Sequence, residues 1–479
     1  MQPSTDLRNG HSAVAPPPVA GAGVATRTPP GDSQAFGEAS IWGNRHFLLL
    51  WLAQAISQTA QNAIWFGIVV LVEQVSHSST QLSIAVLTLI IPSVIFGVLA
   101  GVYVDRWDKR GVLIATNVLR GCIAFAYAAF ALPLGLPLIA LYAVNFLFST
   151  VGQFFAPAET AMIPTVVARN RLLQANSLFH LTFTASQLAG LVVLGPLMVK
   201  VVGVDGLFIS MAAAIVVCGG LVWPLPSSRG EHDPQQPTSS EEAIRGVWHD
   251  VRDVWHFVMR DRVVGLSMVQ WTIGAILGLV VATLVPTFAA GLLHVRPEDA
   301  VFVMAPAGIG MVLGTALLNR WGEHIEKHFL GNLGLFTVGA CLGLIGGLAY
   351  VTEALTGGNP PLISMPLLGE VSILVPPIMA LALVAGLGFV SIMVPAQTLL
   401  QERAPVELRG RVFAVQLMLS NFASIVPLLL LGGLADLIGV DVTLVLIGGL
   451  IAVAGATSVR IAPGVAPWSH ARQRQTVQV

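Results

Sequence analysis

Gly101-Val-Tyr-Val-Asp105-Arg106-Trp-Asp108-Lys109-Arg110 is the stretch whose reading decides the fold. It crowds acids and three bases between two long apolar runs, in a chain of 479 residues that is 55% hydrophobic and only 10% charged. With a mean hydropathy of +0.78, this composition excludes a soluble domain with a polar surface. Apolar runs of about 20 residues, each long enough to cross a hydrocarbon core of about 30 Å, recur along the sequence. Runs such as 82–101 are apolar all round and not alternating, so they read as helices and not as barrel strands. The expected fold class is an all-α integral membrane protein.

Turn residues and charges divide the apolar runs into twelve spans, near 46–72, 80–104, 111–132, 136–158, 174–199, 204–224, 263–290, 300–319, 328–351, 372–396, 412–434 and 439–461. An even number puts both termini on one side. The Pro-, Ala- and Gly-rich segment 1–43 reads as a disordered tail and 462–479 as a second tail. Six spans in 44–224 and six in 263–461 flank a linker at 225–262, which is first Pro- and Ser-rich and then helical in pattern. Ser239 and Glu242 have capping-box spacing there, and Ile244, Trp248, Val251, Trp255 and Val258 recur every three or four residues. With Arg245, Arg252, Arg260 and Arg262 alongside, this stripe suits a helix at the inner lipid surface or one packed on the ends of the spans. If the N-terminus is cytoplasmic, every Lys and Arg lies on the inner side except Lys200, Arg296 and the intramembrane Arg120. That orientation implies a multi-pass protein of the cell membrane with both termini in the cytoplasm. Cys122, Cys218 and Cys341 all fall in apolar runs, which suits small packing residues better than a disulfide framework.

Short matches recur between the two sets of spans. Pro157-Ala-Glu159-Thr160 corresponds to Pro395-Ala-Gln397-Thr398, Gly203-Val-Asp205 to Gly439-Val-Asp441, and Gly97/Gly101 to Gly310/Gly314. Equivalent elements at span n and span n+6 describe a duplicated transporter with its substrate path between two pseudo-symmetric six-helix bundles.

The pattern Gly-x-x-x-Asp-Arg followed by bases, between the second and third spans, resembles the signature loop of the major facilitator superfamily. The match is nearest to its drug and siderophore exporter branch, of macrolide-efflux and enterobactin-exporter type. The segments 155–164 leading to Ala175-Asn176-Ser177-Leu178, 244–265, and 401–413 carry the same resemblance. It implies that Asp105, Arg106 and Arg110 belong to a gate that holds one access state through a charge network against helix eleven. Gly101, with Gly97, would admit a neighbouring helix backbone there. Asp108 departs from the family, which often has Gly at that place, and the second copy of the loop is degenerate at Asn319 and Arg320.

Polar residues inside spans mark a cavity or helix-to-helix hydrogen bonds. The first span holds Gln54, Ser57, Gln58, Gln61 and Asn62, with Gln54, Gln58, Gln61 and Asn62 on or near one face. Asn145 and Gln153, Gln187, Gln270 and Trp271, and Asn421 extend this set to a neutral lining suited to an amphipathic substrate. Arg120 lies deep in the third span, with Glu159 as the nearest acid expected to meet it. The branch often carries an acid in the middle of helix one, where this chain has Gln61-Asn62. Glu73 and Glu159 are then the remaining proton carriers.

No GxSxG elbow, P-loop or HExxH occurs in a sensible context, so catalysis is not expected, and neither a cofactor nor a metal is implied. His324 and His328 have metal-ligand spacing but sit in a short charged loop. The bases follow topology and give no nucleic-acid surface. The leading expectation is a secondary transporter in the lipid bilayer that exports an amphipathic small molecule by alternating access, coupled to protons. The alternatives are an uncoupled facilitator or importer, and a transporter-like sensor or scaffold without flux.

Overall fold

Asn44 begins the first long helix because its side chain accepts a hydrogen bond from the Phe47 N–H at 3.1 Å, satisfying one of the open donors of a helix start. From there a computed structural model describes residues 41–131, 138–228, 240–321, 325–357, 360–365, 369–405 and 408–461. The tails, the Pro-rich part of the linker with the Ser239 cap, and His324 in its loop lie outside the described residues.

The first half contains α1 (Arg45–Ser76), α2 (Ser79–Arg106), α3 (Lys109–Ala126), α4 (Leu138–Val166), α5 (Leu172–Leu188) and α6 (Gly195–Val222). A π-helical stretch, Ala189–Leu194, joins α5 to α6 without a break in direction. The turn comes inside α6 at Gly203, with φ +76° and ψ 177°. The fifth crossing therefore runs to 202 and the sixth from 204. The second half contains α8 (Arg262–Leu292), α9 (Ala300–Trp321), α10 (Lys327–Thr356), α11 (Val375–Arg403), α12 (Arg409–Ile438) and α13 (Val440–Ile461). Gly439, with φ +94°, makes the same break between α12 and α13. The repeat read from Gly203-Val-Asp205 and Gly439-Val-Asp441 thus exists as matched backbone geometry, and among the described residues the crossings number twelve in two six-helix bundles.

Between the halves, α7 (Ser240–Arg260) is amphipathic. Its Val254 is buried with Val264, Met268, Leu400, Ala404 and Val412 of the second bundle, while Trp248 and Trp255 stay exposed. The packing reading of α7 is met on its Val254 face. Arg411 reaches Asp253 at 3.7 Å and Arg403 reaches Asp261 at 3.6 Å, which holds the linker helix to the second bundle. The sequence reading missed the hairpin in which β1 (Leu362–Met365) and β2 (Gly369–Ser372) pair antiparallel before α11. The Ser372 N–H to Leu293 carbonyl bond, 3.0 Å, pins this hairpin to the end of α8.

Alternating helix direction places Arg45, Arg106, Lys109, Arg110, Arg171, Arg262, Arg320, Lys327 and Arg403 at one end of the bundles, the basic end. The hydrophobic core crosses the seam. Val86, Leu87 and Ile90 of α2 pack in one cluster with Leu277, Leu284, Leu428 and Ala435 of the second half.

Candidate functional site

A cavity of about 450 Å³ lies on the seam, within the usual range for small-molecule sites. Gln61 and Asn62 of α1, Asn145 and Gln153 of α4, Gln187 of α5 and Asn421 of α12 all line it. Trp65, Phe148, Ile68, Leu89 and Ile90 supply the apolar and aromatic wall. No charged side chain is among the lining residues. Several amides are oriented by their own helices: Asn62 donates to the Gln58 carbonyl at 2.8 Å and Gln153 to the Ser149 carbonyl at 3.3 Å. Asn145 donates to the Ala85 carbonyl (3.1 Å) and the Thr88 hydroxyl (2.7 Å), tying α4 to α2. Asn421 donates to Ser93 at 3.2 Å, a hydrogen bond between the halves.

Four expected lining residues lie elsewhere. Gln54 and Gln58 are buried on α1 on the basic side of the cavity, which begins deeper, at Gln61. Gln270 points into the second bundle, where it donates to Asn332 at 2.8 Å, and Trp271 sits edge-on to Phe413. Both belong to the packing of α8 against its own half.

Behind the wall, Arg120 of α3 is 1% exposed. Its guanidinium donates to Gln61 Oε1 (2.7 Å), Ser57 Oγ (3.0 Å) and Asn117 Oδ1 (2.9 Å). It also lies over the Phe155 ring, 4.6 Å from the centroid. Glu159 of α4 is buried nearby, but the two form no ion pair, and Glu159 Oε1 is without a hydrogen-bond partner. The expected Arg120–Glu159 contact is replaced by neutral acceptors from α1 and α3. Such charge-assisted bonds satisfy the fork without a carboxylate.

The end opposite the basic one is sealed by carboxylates that reach across the seam. Asp436 of α12 accepts from the Ser78 hydroxyl (2.6 Å) and from the N–H groups of Ser79 (2.8 Å) and Thr80 (3.0 Å). The start of α2 is thus capped by the other bundle, and the helix dipole favours the negative charge. Glu73, buried near the end of α1, accepts from Thr287 of α8 at 2.8 Å. Lys200 pairs with the buried Asp299 and lies over the Phe302 ring. At Gly432 a Cβ would come within 2.9 Å of the Ser79 carbonyl, so α12 touches α2 there backbone to backbone.

Toward the basic end the cavity has a neighbour. A second space of about 350 Å³ shares Ser93, Gln153 and Asn421 with the first and continues to Gly97, Val251, Arg411 and Met418. The loop that opened the sequence reading lies at this end. Asp105 and Arg106 are exposed there, and the Asp105 backbone carbonyl takes the Lys109 ammonium at 2.9 Å. Arg110 donates to the Leu225 carbonyl (3.1 Å) and lies over Trp223. The close helix approach expected at Gly101 is not made: a Cβ there would meet nothing within 4 Å. In the second copy Gly314 does make it, 3.3 Å from the Leu387 backbone. Asp108 caps α3 through the Gly111 N–H (3.0 Å), and its other oxygen takes Ser227 (3.0 Å) and the Ser228 N–H (2.9 Å). Burial works to raise its pKa, but those donors and the Arg110 charge outweigh burial and hold the carboxyl below the usual range.

Two bundles around a seam cavity, tied together at one end, agree with the sequence comparison. Residues 50–426 match the family model of the Major Facilitator Superfamily. The chain belongs to that superfamily. Among its superfamily relatives, it is 24% identical over 404 residues to the multidrug efflux pump Tap of Mycolicibacterium fortuitum, covering 83% of this chain and 91% of that protein. An uncharacterized MFS-type transporter of Bacillus subtilis, YkuC, is 22% identical over 381 residues, 74% of this chain and 87% of the relative. Macrolide efflux protein A of Streptococcus pyogenes is 27% identical over a shorter match of 126 residues, 26% of this chain and 31% of that protein. Among solved structures, a POT family transporter in complex with 5-aminolevulinic acid aligns with a TM-score of 0.66 at 12% identity, covering 90% of this chain and 99% of the other. The nucleoside transporter NupG aligns at 0.60 and 13%, covering 87% and 100%. These structural likenesses bear on the fold. The chain is a multi-pass membrane transporter and not an enzyme.

Sequence reasoning missed the seal. Its signals were present: Ser78 and Gln81 have capping-box spacing, and Asp436 stands three residues before the Gly439 break. What a single sequence lacks is the pairing of α2 with α12 that brings them together.

Proposed function

We propose that this superfamily member is a secondary active exporter that moves an amphipathic, drug- or siderophore-like small molecule across the cell membrane by alternating access, in exchange for protons. The neutral cavity of amides and aromatic faces carries this reading: with no charged lining, it favours a ligand that combines apolar area with a few hydrogen-bonding groups. The efflux relatives support the direction. In this reading the basic end faces the cytoplasm with both termini, and substrate enters there while the opposite seal is shut. The halves 44–224 and 263–461 rock about the seam, with 225–262 as their tether. Gly101, Asp105, Arg106 and Arg110 latch the other access state, in which the basic end closes. Glu159 and Glu73 are the carboxylates available as proton carriers.

Everted membrane vesicles with an acidified interior test this. Uptake of ethidium that needs the protein and collapses with the pH gradient is expected. Uptake that persists without a gradient overturns antiport in favour of a facilitator. No uptake across a broad panel of amphipathic compounds overturns export and leaves a sensor or scaffold.

A further inference from the structure

Arg120 and Glu159 share an unusual arrangement. The arginine is fully buried, and its fork is satisfied by three neutral side chains, one of which, Gln61, is a wall of the cavity. The glutamate, 7% exposed, leaves Oε1 without a partner. An ionised carboxylate with an orphaned buried oxygen is far costlier than a protonated one. The guanidinium already rests on Phe155, one helical turn from Glu159 on the same helix. The carboxyl is also near enough for the two groups to interact electrostatically.

We propose that Arg120 is a relay between substrate and proton. A ligand that donates a hydrogen bond to Gln61 Oε1 displaces the guanidinium. Arg120 then pairs with Glu159, whose O–H bond breaks and whose proton leaves to the solvent at the basic end. Arg120 keeps its own proton throughout, so one ligand bound corresponds to one proton released. Binding and deprotonation become linked steps at one site, as exchange requires, and linkage is reciprocal: protonation of Glu159 must weaken the ligand. The charged group facing Glu159 is Arg120 from α3, and Cys218 of α6 faces Arg120 from behind. The ligand class follows: amphipathic molecules bearing N–H or O–H donors. This inference rests on the exporter reading and adds the residue through which coupling passes.

Two measurements on the purified full chain separate the ideas. Dicyclohexylcarbodiimide labels protonated carboxyls in apolar surroundings, so labelling of Glu159, read by mass spectrometry, reports its proton without any substrate. Gln61→Leu, which frees Arg120, is expected to cut that labelling severalfold. Arg120→Gln is expected to keep it, and Arg120→Lys to restore part of its sensitivity to ligand. Unchanged labelling in folded Gln61→Leu overturns the relay. Ethidium, whose charge is fixed across neutral pH and whose amino groups donate, is expected to protect Glu159 and release about one proton per molecule bound. Its affinity should strengthen toward alkaline pH in the wild type and become independent of pH in Glu159→Gln. Ethidium that binds with neither proton release nor pH dependence overturns the relay and leaves the exporter reading standing. No binding of any amphipathic donor overturns both.

Discussion

Asp108 shows how much one side chain can hold together at the end of a crossing. One carboxylate oxygen starts α3 and the other anchors the entrance of the interbundle linker through Ser227 and Ser228. Removing the cap with Asp108→Ala is expected to cost about 1 kcal/mol, read as a lower unfolding midpoint in detergent. The charge makes a separate prediction. Because the folded carboxyl titrates below its ordinary value of 3.8, its stabilisation is fully present above that pH and is lost as the pH falls through the lower folded value. The midpoint difference between wild type and Asp108→Asn should hold constant from neutral pH down to the ordinary value, and shrink below it. In the sequence Asp108 stood out only as a departure from a family glycine. Its partner at Ser227 and Ser228 lies across four crossings, a distance no local pattern spans. Gln61, Asn62, Asn145, Gln153, Gln187 and Asn421 were legible as cavity residues because polar groups in apolar helices have few other places to go. Gln270 misled because a hydrogen bond inside its own bundle satisfies the same rule.

At the scale of elements, Gly203 and Gly439 do equivalent work. Both occupy backbone regions with positive φ and extended ψ that side chains disfavour, and both turn the chain between the last two crossings of a half. Gly203→Ala and Gly439→Ala should each cost about 1–3 kcal/mol, with similar losses of midpoint in the two halves. A loss at only one position would show that the repeat in sequence is not a repeat in energetics. The twelve crossings were readable because length, hydropathy and charge punctuation are local. The hairpin formed by β1 and β2 was not, since its strands are only four residues each and depend on the bond from Ser372 to Leu293.

For the whole molecule, the deciding contrast is between its two ends. The sealed end combines a helix cap given by one bundle to the other, a buried Glu73–Thr287 bond, the Lys200–Asp299 pair and a bare backbone contact at Gly432. Asp436→Ala deletes the cap and is expected to shift the balance toward opening of that end by about 1 kcal/mol, roughly fivefold in population. A cysteine at Ser83, buried in this state, should then react correspondingly faster with an impermeant thiol reagent applied from that side. Unchanged reactivity would show that the cap does not govern the seal. Gly432→Leu should act more strongly, abolishing flux at unchanged membrane abundance, because closure itself becomes sterically barred. Of this contrast the sequence showed the basic loop at one end, but only two bases, Lys200 and Arg296, at the other. One of those two turns out to be a strut across the seam.

In the second half, α10 and α13 meet without side chains between them. A Cβ at Gly339, Gly346, Gly448 or Gly455 would run into the opposite helix, at distances such as 2.7 Å from Gly339 to the Gly448 carbonyl and from Gly455 to the Phe336 nitrogen. Two rods in such contact cannot slide without first separating, so they behave as one stiff beam. A rocking machine needs an unbending arm as well as a pivot. Such a pair would let the second bundle turn as one body and not shear within itself. A bulky residue anywhere along this beam should soften the stroke before it disturbs the grip on cargo.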